Sequence, residues 1–227
     1  VSDMEKMHLA LHQRFIEDGW TAAQRIQLLE FFEKAQRRSG GRSTHAHSIM
    51  NATRDFAKTM NGEQSRAVLA QGVRWPNAAL GVLYGMPKEV DEETLGILKT
   101  LAAEVRHLVD TAAMRLKVGI VAVLARSGDL PSLAYLREVW ERDPERRQAV
   151  AMGLAQWPNK ENWDYLVRSL PILDGVAARE VLTKLRLINL APEEPEYYRQ
   201  VILRGLALGD KGAEDAIALL EYWLGER

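Results

Sequence analysis

Asp143-Pro144-Glu145-Arg146-Arg147 opens, and Trp157-Pro158-Asn159 closes, the stretch on which the reading of this chain turns. Proline at the first position of a helix loses no hydrogen bond and brings a suitable φ, so Asp143-Pro144 predicts a helix start. A residue before proline is pushed out of the α region, so Pro158 predicts the end at Trp157. Between them Val150, Leu154 and Trp157 recur at helical spacing. The same trio returns as Val181, Leu185 and Ile188, then as Ala216, Leu220 and Trp223, at offsets of 31 and then 35 residues. Ile120 and Leu124, 30 residues before Val150 and Leu154, begin an earlier copy. Each of the three helices has a partner in front of it. These partners run from Asp129-Leu130-Pro131 to Arg142, from Glu161 to Leu173, and from Pro195 to Leu208. The second helices of the later pairs follow Asp174-Gly175 and Gly209-Asp210, over Val176 to Ile188 and Gly212 to Leu224.

Working toward the N-terminus, helical periodicity continues and strand alternation is nearly absent. Asp91 predicts an N-cap, with a helix to Leu108, and Asp110 or Thr111 starts another that ends at Ser127-Gly128. Ser65 to Val73 and Ala78 to Tyr84 predict two short helices separated by a turn at Trp75-Pro76-Asn77. Thr21 with Gln24 forms a capping-box pattern before Ile26, Leu28, Leu29, Phe32 and Ala35. Arg37 and Arg38 end that helix, where positive charge suits the dipole. Ser39-Gly40-Gly41-Arg42-Ser43 breaks the chain before a further helix from about Thr44 to Met60.

Paired helices, an aspartate at the turn and a period drifting through the thirties resemble HEAT-type repeats. Asp143-Pro144-Glu145-Arg146-Arg147 and Asp129-Leu130-Pro131 carry most of that likeness, which covers roughly residues 91–227. It implies an all-α, right-handed α-α superhelix, a HEAT-like or armadillo-type solenoid, because each pair has an apolar face that only a neighbouring pair can bury. Residues 1–62 would be a less regular helical cap, and 63–227 one run of repeats. Trp20-Thr21, the helix with Phe31-Phe32 and Ala35, and Gly40-Gly41-Arg42-Ser43 before another helix are similar to a segment of large bacterial membrane-bound-dehydrogenase-like proteins. In that family HEAT-like repeats sit beside a c-type haem domain with a Cys-x-x-Cys-His motif. The resemblance implies a helical spacer in a larger multidomain protein, with any haem in an adjacent domain and a location outside the cytoplasm. The opening Val1-Ser2-Asp3 lacks an initiator methionine and likewise predicts a segment of a longer polypeptide.

Composition removes several function classes. The 227 residues are 47% hydrophobic and 27% charged, the balance of a globular protein with a proper core. There is no cysteine, so disulfides, thiolate nucleophiles and cysteine-ligated metals are excluded within this chain. Thirty Lys+Arg against thirty-one Asp+Glu argue against a protein built to hold phosphate backbones. The longest apolar run, Val118 to Ala125, is far short of the roughly 20 residues of a membrane span. No stretch has the layout of a signal peptide.

Motifs that carry chemistry are weak. Glu5 with His8 and Glu104 with His107 repeat the Glu-x-x-His spacing of di-iron carboxylate bundles, but two further glutamates and four long helices are missing. His8 and His12 have zinc-protease spacing, yet Leu9 stands where a catalytic glutamate is needed. His45 and His47 would diverge by about 200° on a helix. No His-Glu dipeptide occurs, which removes the metal signature of the HEAT-like hydroxylases. There is no Gly-x-Ser-x-Gly elbow, Walker loop or dinucleotide fingerprint. Gly40, Gly41, Arg42 and Ser43 before a helix could cradle an anion; a plain helix–helix turn explains them better. Six tryptophans, Trp20, Trp75, Trp140, Trp157, Trp163 and Trp223, keep one enzyme class open. HEAT-repeat DNA glycosylases for alkylated purines use aromatics and a carboxylate in a groove. Trp157 and Trp223 align in the repeat, which predicts packing between neighbouring pairs. The basic groups Arg37-Arg38, Arg146-Arg147 and Arg179-Lys184-Arg186 have acids nearby and read as solvated faces.

The expectation is therefore a non-catalytic scaffold with no cofactor or metal of its own, whose partners are proteins or neighbouring domains. The row of second helices is its expected working surface. Arg147, Gln148, Arg179 and Lys184 are the candidate contact positions.

Overall fold

The computed structural model of the protein describes residues 10, 13, 21–38, 51, 56, 60, 62–157, 163–188 and 191–225. They form eleven α-helices and one short 3₁₀ turn, with no strand among the described residues. In chain order the helices are α1 (Ala22–Arg38), α2 (Gly62–Leu69), α3 (Pro76–Gly85), α4 (Glu92–Glu104), α5 (Thr111–Ser127), α6 (Leu130–Arg142), α7 (Arg147–Gln156), α8 (Trp163–Ser169), α9 (Gly175–Leu185), α10 (Pro195–Ala207) and α11 (Asp210–Leu224). The chain divides into two compact units, Val1–Val123 and Leu124–Arg227, with the division inside α5. No described helix is long and apolar enough to cross a membrane.

Aspartate caps set the register of several helices. Asp91 accepts from the Thr94 N–H at 2.7 Å, Asp129 from the Ser132 N–H at 2.8 Å, and Asp174 from the Ala177 N–H at 2.9 Å. Asp110 accepts from the N–H groups of Ala112 and Ala113. The capping box also forms in both directions. The Thr21 N–H donates to Gln24 Oε1 at 2.8 Å and the Gln24 N–H to Thr21 Oγ1 at 3.3 Å.

Several helix ends fall short of the expected ones. The helix expected to reach Leu108 stops at Glu104, and Lys117 Nζ from α5 takes the carbonyls of Arg106 and Leu108, each at 2.7 Å. The helix expected over Glu161 to Leu173 is confined to Trp163–Ser169 among the described residues, and Pro171 forbids its continuation. The one expected over Ser65 to Val73 runs Gly62–Leu69 and gives way to turns. At Trp75-Pro76-Asn77 the chain enters a helix directly. Trp75 is the non-helical cap residue and Pro76 the first helical one.

Each unit is built round a helix that has no polar face. In the first unit Ala78 through Leu83 of α3 are all buried, and α3 packs on α1 and α2. In the second, Ala149, Val150, Ala151, Gly153, Leu154 and Ala155 of α7 are buried, and α7 touches α6, α8 and α9. Apolar residues all round a helix are the mark of a core position.

The N-terminus of α3 has no cap of its own, since Trp75 offers no side-chain acceptor. Glu33 of α1, only 3% exposed, supplies it. Its Oε2 accepts from the N–H groups of Asn77 and Ala78 at 2.9 and 3.0 Å. Its Oε1 accepts from Asn77 Nδ2 at 3.1 Å and Arg37 Nε at 3.0 Å. A carboxylate at this end also meets the positive pole of the helix dipole. Every lone pair direction of the buried glutamate is thus occupied. Glu33→Ala is expected to lower the stability of the chain by about 1–3 kcal/mol, the cost of leaving buried donors unpaired. Arg37→Ala, which removes an exposed partner, should cost under about 1 kcal/mol. Urea denaturation of the two variants checks the ranking.

Candidate functional site

The second unit brings the repeat-equivalent helices together. α9 packs on α7, and α11 packs on α9; among the helices that precede them, α10 packs on α8. Val150 and Leu154 of α7, Val181 and Leu185 of α9 with Ile188 just beyond it, and Ala216 and Trp223 of α11 are all buried, while Leu220 is half-buried. Trp157 departs from the trio. It is 46% exposed, because α7 ends at Gln156 and Trp157 is the cap residue with extended φ. Trp223 keeps its helical register inside α11 and packs edge-on to Tyr198 with centroids 5.3 Å apart. Sequence alignment of the two tryptophans therefore does not carry over to shared packing.

Polar side chains fasten this row of helices. Gln148 Nε2, in the first turn of α7, donates to Asp174 Oδ2 at 2.8 Å, so Asp174 both caps α9 and receives α7. Arg179 Nε of α9 reaches Asp215 Oδ2 of α11 at 2.7 Å. Arg147 turns inward on its own pair. Its Nε donates to the Trp140 carbonyl at 2.7 Å and its guanidinium lies 5.8 Å from the Trp140 ring. Three of the four expected contact positions thus hold the unit together. Lys184 is half-buried, and its side chain forms no ion pair or hydrogen bond among the described residues. Nothing close by in the sequence marks Asp174 or Asp215 as acceptors across helices. Their spacing from Gln148 and Arg179, 26 and 36 residues, brackets the repeat and was the available signal.

Between α6 and the next pair, Trp140 meets Tyr165 edge-on at 5.7 Å, and Arg137 Nε donates to the Tyr165 hydroxyl at 3.2 Å. Arg146 Nε bonds the buried Asp143 at 2.6 Å and its Nη1 the Tyr135 hydroxyl at 3.1 Å. Burial works against the charge on Arg146, and Asp143 with Tyr135 more than restores it, raising its pKa. Burial likewise opposes ionisation of Asp129. The hydroxyls of Ser127 and Ser132 and the Ser132 N–H outweigh it and hold that carboxyl below the usual aspartate range.

A cleft of about 290 Å³ in the first unit is lined by Met60, Ser65, Arg66, Met86, Glu89 and Asp91. Its arginine is already matched. Arg66 Nη1 lies 3.4 Å from Asp91 Oδ2 and Nε 3.1 Å from Glu93 Oε2. The Thr94 N–H and hydroxyl, and then Arg66, hold the Asp91 carboxyl below its ordinary range, against a little burial. Of the two carboxylates that line the cleft, Asp91 and Glu89, Asp91 is engaged in capping α4 and pairing Arg66.

The remaining sequence candidates are mostly out of view. Gly40, Gly41, Arg42, Ser43, Glu5, His8, His12, His45, His47 and Trp20 lie outside the described residues. Glu104 is the last residue of α4 and His107 lies in the turn beyond, so this pair shares no helical face. Among the described residues no group of three or more His, Asp or Glu is placed to hold a metal ion. No protein-family model, curated protein or solved structure matches the chain.

Two outcomes follow from this geometry. A double-mutant cycle on Arg179→Ala and Asp215→Ala should return a coupling of about 0.5–1 kcal/mol in urea melts, modest because the arginine is partly in water. Asp129 and Asp91 have depressed folded-state pKa values, so their caps contribute fully above about pH 4 and are lost as pH falls toward the folded value. Asp129→Asn keeps an acceptor for the Ser132 N–H without titrating, so its thermal midpoint should fall less than wild type's from pH 5 to about pH 3.

Proposed function

We propose that this chain is a non-catalytic scaffold or protein-interaction domain, a HEAT-like right-handed α-α superhelix with residues 1–62 as its helical cap. The observation that carries the reading is the succession of α7, α9 and α11, with matching apolar positions buried along it and Gln148–Asp174 and Arg179–Asp215 tying each helix to the next. A row fastened in this way presents a rigid surface at little ordering cost to a partner. The second helix of each pair is its working row. With Arg147, Gln148 and Arg179 engaged internally, the positions left for a partner on α9 include Val176, Glu180, Thr183 and Lys184. Partners on this reading are proteins or neighbouring domains of one polypeptide. Service as a spacer beside a c-type haem domain is the setting implied by the N-terminal likeness, whose Gly40 to Ser43 segment lies outside the described residues.

Three of the six tryptophans favour this reading over a glycosylase-type nucleic-acid enzyme, while Trp157 is exposed. Trp75, Trp140 and Trp223 are buried in helix packing, where no base can stack on them. A gel mobility shift with a short DNA duplex at low salt tests the choice. The expected result is no shift. A shifted band that disappears steeply as salt is raised would overturn the scaffold reading and favour the enzyme.

A further inference from the structure

We draw no further inference here: the strongest candidate, the cleft of about 290 Å³ in the first unit lined by Met60, Ser65, Arg66, Met86, Glu89 and Asp91, carries none, because Arg66 is already matched by Asp91 and Glu93 and nothing among the described residues points to the chemistry of an occupant.

Discussion

A helix with no polar face cannot leave its ends to water. α3 and α7 are buried almost all the way round, and a buried backbone donor must find a partner inside the protein. That requirement organises the first unit about Glu33. The carboxylate sits on α1, yet its four bonds serve α3 and the adjoining Arg37. Arg37 in turn donates to the Arg74 carbonyl just before α3, so the charge is matched at the same place that the helix begins. In the second unit, α7 is entered through a 3₁₀ turn at Pro144–Arg146, where the Arg146 N–H bonds back to the Asp143 carbonyl. The two central helices solve the same problem by different means, one by a distant carboxylate and one by local turn chemistry.

How far the chain could be read from its residues follows the range of each interaction. Aspartate caps three residues from their donors, the Thr21–Gln24 box and the helix starts at Pro131 and Pro195 are local and formed where their spelling put them. Asp143-Pro144, read as the start of a helix, opens a 3₁₀ turn without an aspartate cap, and α7 begins only at Arg147. The all-helical class was legible for the same reason, since apolar spacing reports period directly. What escaped was nonlocal. Glu33 lies 44 residues from Asn77, and nothing in its neighbours distinguishes it from the exposed Lys34. One signal did exist: Trp75-Pro76 begins a helix without any local acceptor, so a remote one was required. Helix ends were legible only where Gly, Pro or Asp marked them. Lys117, which holds the carbonyls of Arg106 and Leu108, shortens α4 from a different helix.

The candidate contact residues teach a related lesson. Long polar side chains at the start of a second helix look available in sequence, because nothing nearby pairs with them. Gln148 and Arg179 find partners 26 and 36 residues away, at the start of α9 and on α11, beyond the reach of local sequence. Where helices pack side by side, as α7, α9 and α11 do, polarity at such a position is as much a fastening as an interaction surface. The open apolar residues of α10 and α11 were hard to read for the opposite reason. Ile217 and Leu182 are chemically alike, and only their place in the row leaves one open and the other covered.

The rigidity of the α10–α11 pair has its own cause. Gly205 of α10 and Gly212 of α11 face each other's helices at a distance that admits no side chain. A Cβ on Gly205 would collide with that of Ala216, and one on Gly212 with that of Leu208. Close backbone approach of this kind joins two helices over a continuous seam, with Val201 and Leu219 filling it and Trp223 closing it against Tyr198. The pair is therefore held from within, and its outer positions take no part in holding it. Ile202, Leu206, Ile217 and Leu224 stand outside this seam, open to solvent.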